Sequence, residues 1–574
     1  MKKQLSLVLI LIFPLFSISQ NIEESAKKAK SYVSSEYDRN AVTFIGLDFN
    51  ENLSTEVYQK ISELKVPDKF YDNSIEGNIL KPGVGRESVS NQYTGLDENK
   101  IRQWLNDNKV GQKILSDWFN RQGDGSFNVE TLKERGLFNA NDNDFMVASA
   151  SKRGESSLMD MGMQLVNQSY VLVFDYSDIM TMKQYYDKNE VPADKRIMNG
   201  FRSSLNTYLF KLNFNDSVAA TFFQNYWFGA NDPNAAAKKE AFENASFPFV
   251  FVSKQHNDIS STQYNEGQTL APKVQKTKDQ LLEQLATSSL EAAMTDVENQ
   301  RQEFRVKAMV SSVHPIAAKI GKKEGLKFDQ RYFVLENRER NNGTLFTKRI
   351  AVVKSMSVID NRKVTTGQTD ASEFYQIAGG GVDNYGMFLE QHNDVGLNLA
   401  LGYSMSGLTG YTGRAEYYIS KAFGGFVKPG KSGKGLTSIK IYVEGGYDLQ
   451  KDYTVEISDF TDNFTFMRVS GGLAKDFYPI SFLHWGPFVG YGVEEISWES
   501  EDNVSVSSDF IEAGVRVGVN LAHNIQLIGS ATYYSLITSE IKDSDTNETE
   551  EFEYKDYFKD RMGLSLNVGI RFMF

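Results

Sequence analysis

The sequence contains no cysteine among its 574 residues. This absence excludes disulfide bonds, cysteine-ligated zinc, cysteine nucleophiles and a lipid anchor on an N-terminal cysteine. No GxSxG motif supplies a serine nucleophile, and the five histidines lack the paired spacing of common zinc sites. These histidines are His256, His314, His392, His484 and His523. We therefore predict a protein that is not an enzyme and that holds no metal or cofactor.

A long apolar segment is also missing, because no internal run approaches the roughly 18 residues of a membrane helix. Near the N-terminus, Lys2 and Lys3 precede a short apolar run over residues 5–16 and the small residues 17–19. This pattern is typical of a signal peptide, which we predict over residues 1–19 with cleavage before Gln20. The net charge of −12 argues against a nucleic-acid partner.

The last strand-like segment, residues 562–574, alternates strictly between two kinds of side chain. Every second residue is apolar: Met562, Leu564, Leu566, Val568, Ile570, Phe572 and Phe574. The residues between them are small or polar, except Met573. Since successive strand side chains point to opposite faces, one face is apolar and the other polar, as in a transmembrane β-barrel.

The final residues resemble the terminal-Phe signal that the outer-membrane assembly machinery of Gram-negative bacteria reads. This resemblance implies that Phe574, Phe572 and Ile570 form a barrel-assembly signal. It also implies contact with that machinery during insertion and with outer-membrane lipid afterwards.

About eight such segments follow residue 391, and we predict a transmembrane β-barrel over residues 391–574. The last third of the chain resembles the small OmpA/OmpX type of outer-membrane barrel. Long acidic connections are expected at 450–463, 499–509 and 540–560, alternating mostly with shorter links. A soluble β-sandwich also alternates, but its outer face would carry mixed polar residues instead of glycine and paired charges.

The inward faces of these strands carry charges of both signs in equal number. They are Arg414, Glu416, Lys440, Glu444, Asp448, Arg468, Glu494, Glu512, Arg516 and Arg571. Two interpretations are open: an ion pathway, or a set of salt bridges that fills the barrel. We favour the second, because a barrel of about eight strands is filled by its own side chains.

The residues before the barrel predict an α+β periplasmic region in two parts. Residues 20–300 read as an α/β domain, with one helix over 99–119, a long helix from 273 to about 308 and strands at 41–49, 169–175, 207–214 and 247–252. Residues 301–390 read as a small β-rich domain, similar to modules of envelope assembly and secretion-channel proteins. Gly379 to Gly381 are expected to form the hinge into the barrel.

Two further motifs leave alternatives open. Residues 425–432 (GFVKPGKS) match the P-loop pattern, but a barrel strand instead of a helix is expected next, so we interpret them as a turn. The acidic side chains of loop 540–560 could gather a calcium ion, or could belong to a solvated loop without a ligand. They are Asp543, Asp545, Glu548, Glu550, Glu551 and Glu553.

Together these features predict a non-enzymatic protein of the cell outer membrane with a periplasmic N-terminal region. Its barrel would anchor residues 20–390, which would dock or assemble other envelope proteins. The alternative is a surface receptor or adhesin that binds ligands through the long acidic extracellular loops.

Overall fold

A computed structural model describes residues 39–73, 75–91, 95–139, 163–229, 232–268, 274–342, 345–364, 369–383, 386–422, 437–455, 457, 460–500, 504–543, 549–559 and 561–574. The predicted signal peptide, the P-loop-like segment, Asp545 and Glu548 lie outside the described residues. The chain divides into two compact units. The N-terminal unit is Tyr37–Arg305 with Lys363–Thr369, and the C-terminal unit contains Val306–Arg362 and Asp370–Phe574.

The N-terminal unit contains a mixed sheet with the strand order β2–β1–β6–β7–β8, in which β3 also pairs with β1. Strand β1 runs parallel to β2, β3 and β6, whereas β6, β7 and β8 are antiparallel to one another. The strands are β1 (Ala41–Leu47), β2 (Tyr71–Asp72), β3 (Ile79–Leu80), β4 (Ser90–Asn91), β5 (Gly95–Leu96), β6 (Ser169–Thr181), β7 (Met198–Leu212) and β8 (Phe249–Tyr264). Strands β4 and β5 form a separate two-stranded hairpin.

Helices cover both faces of this sheet, since the apolar side chains of β1 and β6 contribute to two separate cores. The helices are α1 (Ser54–Glu63), α2 (Glu98–Asp107), α3 (Val110–Trp118), α4 (Glu130–Asn139), α5 (Met182–Lys188), α6 (Asp216–Asn225), α7 (Ala235–Asn244) and α8 (Lys278–Gln300). One core contains side chains of α2, α3, α6 and α7, and the other contains those of α1 and α8. This arrangement makes a three-layer α/β/α unit.

The single helix predicted over 99–119 is wrong, because the structure has two helices there. Asn108 ends α2 and donates its side-chain amide to the carbonyl of Trp104 at 2.9 Å. Lys109 then adopts a left-handed backbone with φ of 54°, which no helix interior allows. The apolar spacing continues across this break because both helices pack on the same core.

The C-terminal unit begins with a small closed barrel of six antiparallel strands in the order β10–β13–β12–β11–β14–β9. Its strands are β9 (Lys307–Val313), β10 (Ile316–Ala318), β11 (Arg331–Glu339), β12 (Leu345–Ser357), β13 (Ser372–Gly379) and β14 (Met387–Gln391). Pairing of β14 with both β9 and β11 contributes to the closure, so no strand of this barrel has an open edge.

The expected hinge at Gly379 to Gly381 is wrong. Gly379 ends β13, and the backbone amide of Gly380 donates to the carbonyl of Ile350. These glycines therefore belong to the small barrel itself. The connection to the next domain is residues 392–396.

A larger barrel follows, in which eight strands pair in a closed antiparallel cycle. The cycle runs β15–β16–β17–β18–β20–β21–β22–β24 and returns to β15. The strands, with two short additions (β19 and β23), are β15 (Leu397–Ser404), β16 (Gly410–Tyr418), β17 (Ile439–Val455), β18 (Phe460–Lys475), β19 (Phe477–Ile480), β20 (Leu483–Trp498), β21 (Val504–Ala522), β22 (Ile525–Asp543), β23 (Thr549–Glu551) and β24 (Gly563–Met573). Two short helices, α9 (Ile419–Ala422) and α10 (Tyr554–Tyr557), lie in its connections.

The three predicted long connections are partly strand. Strands β17, β18, β21 and β22 extend into 450–463, 499–509 and 540–560, and β22 reaches 19 residues. A membrane strand needs only about 9–11 residues, so these hairpins continue beyond a bilayer on one side. We call that side the far end, and we call the end that contains Leu397 and Phe574 the near end.

Candidate functional site: the barrel interior and its two ends

The centre of the barrel interior is the carboxylate of Glu416 on β16, which is completely buried. Its Oε1 accepts from Nε of Arg414 at 2.9 Å and from Arg516. Its Oε2 lies 2.9 Å from Nζ of Lys440 and 3.3 Å from Nη1 of Arg571. Four cations from four different strands therefore converge on one carboxylate.

A second carboxylate, Asp476, completes this cluster at the near end. Its Oδ2 lies 2.6 Å from Nζ of Lys440 and 3.0 Å from Nη2 of Arg571. Beside it, the buried ring of His484 faces Gly518, where a Cβ atom would lie 1.8 Å from the His484 Cε1 atom. Glycine is therefore required at position 518 to give the imidazole space.

Towards the far end, further polar side chains lie inside the barrel. Tyr442 donates its hydroxyl to Oε1 of Glu512 at 2.5 Å, and the guanidinium of Arg414 lies 3.4 Å from the Tyr442 ring centroid. Arg414 also lies 3.5 Å from Glu444. Arg468 donates to the carbonyl of Leu408 at 2.8 Å.

The far end is closed by the connection between β22 and β24. Its Arg561 lies 3.0 Å from Asp448 and 2.8 Å from Glu494, and Tyr554 donates to Glu494 at 2.6 Å. The Arg561 guanidinium also stacks 3.5 Å from the ring centroid of Phe466. Beside these two ion pairs of Arg561 lies an apolar cluster: Val455, Phe464, Phe466, Ile496, Val506, Tyr554 and Phe558. We call this closure the far-end lid.

At the near end, Asp329 of the small barrel joins both barrels. Its Oδ2 accepts from the Ser420 hydroxyl at 2.6 Å, and its Oδ1 accepts from the Ser438 backbone amide at 2.9 Å. Tyr375 of β13 donates its hydroxyl to the same carboxylate at 2.7 Å. Asp329 is fully buried, so water does not compete for these bonds.

The connection between the barrels is held by a second buried carboxylate, Asp394. Lys354 Nζ lies 2.7 Å from it, Arg331 Nη2 lies 3.6 Å away, and Lys421 donates to its backbone carbonyl. Burial opposes ionisation of Asp394, but Lys354, Arg331 and Lys421 outweigh it and lower the pKa of this carboxyl to about 2. Burial lowers the pKa of Lys354 to about 8, against the attraction of Asp394. We call Asp329, Asp394 and their partners the near-end junction.

The ten charges expected on inward faces all lie on the inner side of the large barrel: Arg414, Glu416, Lys440, Glu444, Asp448, Arg468, Glu494, Glu512, Arg516 and Arg571. Two charges of the same interior were missed, Asp476 and Arg561. Both continue the alternation by one step beyond a strand end, Asp476 after Ala474 and Arg561 before Gly563. If the alternation of inward and outward side chains is continued two residues beyond each strand, Asp476 and Arg561 are both predicted to face inward.

The residues of the expected assembly signal lie at the seam between the first and last strands. Phe574 donates its backbone amide to the carbonyl of Leu397 at 2.8 Å, and its carbonyl accepts from Gly396 at 3.1 Å. Phe572 and Ile570 pair with Leu399 and Leu401 of β15. The last residues therefore close the barrel.

The outer surface of the large barrel is an apolar belt. Leu401, Val469 and Leu564 are 66%, 62% and 59% exposed, respectively. Other exposed members are Val443, Val489, Ile511, Val515, Val517, Leu566 and Val568. A patch of this extent cannot face water in a stable monomer. A closed antiparallel barrel with an apolar outside and a polar inside defines an integral membrane β-barrel.

The solved structures that are similar to this chain cover 31–32% of it. No protein family and no curated protein matches the sequence. A major outer membrane protein of Thermus thermophilus is 17% identical, with 31% of this chain and 98% of that chain covered and a TM-score of 0.21. Neisserial surface protein A is 13% identical, with 31% of this chain and 94% of that chain covered and a TM-score of 0.19. The N-terminal β-barrel domain of Pseudomonas aeruginosa OprF is 12% identical, with 32% of this chain and 100% of that chain covered and a TM-score of 0.18.

Among the described residues, no helix is both long and apolar enough to cross a membrane. Within the same residues, no group of three or more histidine, aspartate or glutamate side chains could hold a metal ion. Asp545 and Glu548 of the expected calcium loop are outside these residues, so the calcium interpretation stays open.

Proposed function

We propose that this protein is a non-enzymatic outer-membrane anchor. Its large barrel would span the outer membrane, with the near end in the periplasm, and would hold residues 20–390 there for docking or assembly of other envelope proteins. The observation that carries the proposal is the occupied interior: ion pairs of Glu416, Asp476 and Glu494 lie inside a barrel whose ends contact the lid and the small barrel.

The pairing supports an anchor more than a channel for an electrostatic reason. A charge in a low-dielectric interior is stable only when it is paired, and removing one partner is costly. An ion that entered the interior would have to separate pairs such as Glu416 with Lys440 or Arg561 with Glu494. We therefore expect no steady conductance from the purified protein in planar bilayers.

The N-terminal unit supplies a surface suited to docking. Strand β8 ends the sheet order, so in the described part of the chain only β7 pairs with it. An edge strand of 16 residues presents backbone groups to which a partner strand can pair. Val250 and Tyr264, at the two ends of β8, are half-exposed apolar side chains that such a partner could cover.

The decisive experiment compares three chains purified from detergent-solubilised outer membranes, with identification of the proteins that accompany them. The chains are the full protein, a variant without residues 37–305, and a variant in which 549–559 are replaced by a glycine-serine linker. We expect the envelope partners to be lost only in the first variant, while its barrel remains folded by heat-modifiable migration in gels.

Three results would contradict this function. Partners that remain after deletion of 37–305 would show that this unit does not dock them. Binding to cells or matrix that is lost only in the 549–559 variant would favour the receptor or adhesin alternative. Stable channels in bilayers from the full-length protein would refute the role as an anchor without transport.

A further inference from the structure

The wall of the large barrel contains a notch at the far end, between β22 and β24. These strands pair up to Tyr534 with Gly563, and β22 pairs with β23 only from Glu540 onward. Between these two pairings, residues 535–538 of β22 have no strand partner on this side within the described residues.

A cavity of about 280 Å³ occupies this notch. Its lining combines β22 with the far-end lid: Tyr533, Tyr534, Ser535, Leu536, Lys555, Phe558, Lys559, Met562 and Gly563. Sites that enclose a whole drug-sized ligand measure roughly 300–1,000 Å³, so this cavity fits a headgroup and not an entire lipid.

The charged groups of the cavity are two lysines. Lys555 and Lys559 are exposed, and neither has an ion-pair or hydrogen-bond partner among the residues that the structure describes. Two ammonium groups on one cavity form a site for an anion, and lysine is a frequent ligand of phosphate. The Ser535 hydroxyl adds a neutral donor.

One side of the notch adjoins the belt through Tyr533. Tyr533 is 61% exposed and pairs with the exposed Leu564 on the outer surface of the barrel. A ligand in the notch would therefore contact the two lysines and, beside them, the apolar side chains of the belt. This combination matches an amphiphile with a phosphate group attached to acyl chains.

We propose that the notch binds the phosphate group of an acidic lipid from the membrane leaflet at the far end. Lys555 and Lys559 contact the phosphate, and Tyr533 and Leu564 contact the first carbons of the chains. The site rests on the barrel being in a membrane, but not on the docking function, because it lies at the end opposite the small barrel.

The test uses the full-length protein in a zwitterionic detergent, with binding measured by native mass spectrometry and calorimetry. The probes are dihexanoyl phosphatidic acid, dihexanoyl phosphatidylcholine and inorganic phosphate. The double variant Lys555→Gln/Lys559→Gln is compared with Lys451→Gln/Lys542→Gln, which removes two exposed far-end lysines outside the cavity. Heat-modifiable migration verifies that each barrel is folded.

We expect phosphatidic acid to bind, and the cavity variant to bind it at least about tenfold more weakly, since each lysine near a surface contributes about 1 kcal/mol with acidic lipid. The control variant should keep its affinity. The variant Tyr533→Ser should weaken binding of phosphatidic acid without changing that of inorganic phosphate. Equal affinity in the cavity variant would overturn the site. Inorganic phosphate that binds as tightly as the lipid would overturn the assignment to lipid.

Discussion

Nη2 of Arg571 lies 3.0 Å from Oδ2 of Asp476, and both side chains are buried. Arg571 belongs to the last strand, whereas Asp476 follows β18 in the turn before β19. The contact crosses the interior and joins the seam of the barrel to its opposite wall. Together with the ion pairs of Glu416, this contact connects β16, β17, β21 and β24 through one cluster of charged side chains.

The first prediction concerns this pair. The variant Asp476→Asn leaves Lys440 and Arg571 with a neutral neighbour, and removing one partner of a buried pair costs about 3–5 kcal/mol. We expect that loss in the free energy of unfolding, measured by urea titration of the lipid-reconstituted protein. The control Glu495→Gln changes an exposed carboxylate on β20 and should cost less than about 0.5 kcal/mol. Equal losses in the two variants would argue against an interior held by charge pairing.

The second prediction concerns the near-end junction. In the variant Asp329→Ala, the Ser420 hydroxyl, the Ser438 amide and the Tyr375 hydroxyl lose their buried acceptor. Each unsatisfied buried group costs about 1–3 kcal/mol. We expect faster hydrogen exchange in residues 327–330 and 418–420, measured by mass spectrometry. The control Asp360→Ala, at an exposed carboxylate of the same unit, should leave these peptides unchanged.

The third prediction concerns pH. The pKa of Asp394 is about 2 in the folded chain and ordinarily near 4, so the folded state binds fewer protons than the unfolded state between these values. The stability from this group is complete above about pH 4 and is lost as pH falls through about 2. A shift of this size corresponds to about 2 kcal/mol.

The variant Asp394→Asn should lack this component. Its free energy of unfolding, compared with that of the wild type from pH 6 to pH 2, should be lower near neutrality and should approach the wild-type value in acid. A constant difference over the whole range would show that the charge of Asp394 does not stabilise the connection between the barrels.

The fourth prediction concerns the seam. The variant Phe574→Ser keeps the backbone bonds to Leu397 and Gly396 possible but removes an exposed aromatic side chain. If the terminal residues are read during assembly, the amount of folded protein in the outer membrane should fall several-fold, measured by heat-modifiable migration. The control Phe482→Ser removes another exposed aromatic residue of the near end and should assemble normally. A similar fall in both variants would indicate a general need for aromatic residues there.

Strands with one face in lipid and one in a packed interior can be read from a sequence, because their side chains alternate with period two. The alternation of residues 562–574 and 511–521 therefore predicts which side chains face inward, including Arg571 and Arg516. Strand β8 gives a weaker pattern, since its edge position leaves most of its side chains partly exposed. For that reason the sequence predicts only residues 247–252 as strand there.

The break at Lys109, the contact of Asp329 with Ser420 and the contact of Tyr554 with Glu494 could not be predicted in the same way. The first depends on a single backbone conformation, and the other two depend on residues far apart in the chain. None of them leaves a periodic pattern in the sequence. The local alternation of the sequence by itself determined a barrel with paired charges inside. Only the tertiary structure decided that Asp476 and Arg561 complete those pairs and that the small barrel contacts the near end, because these contacts form only when distant segments meet.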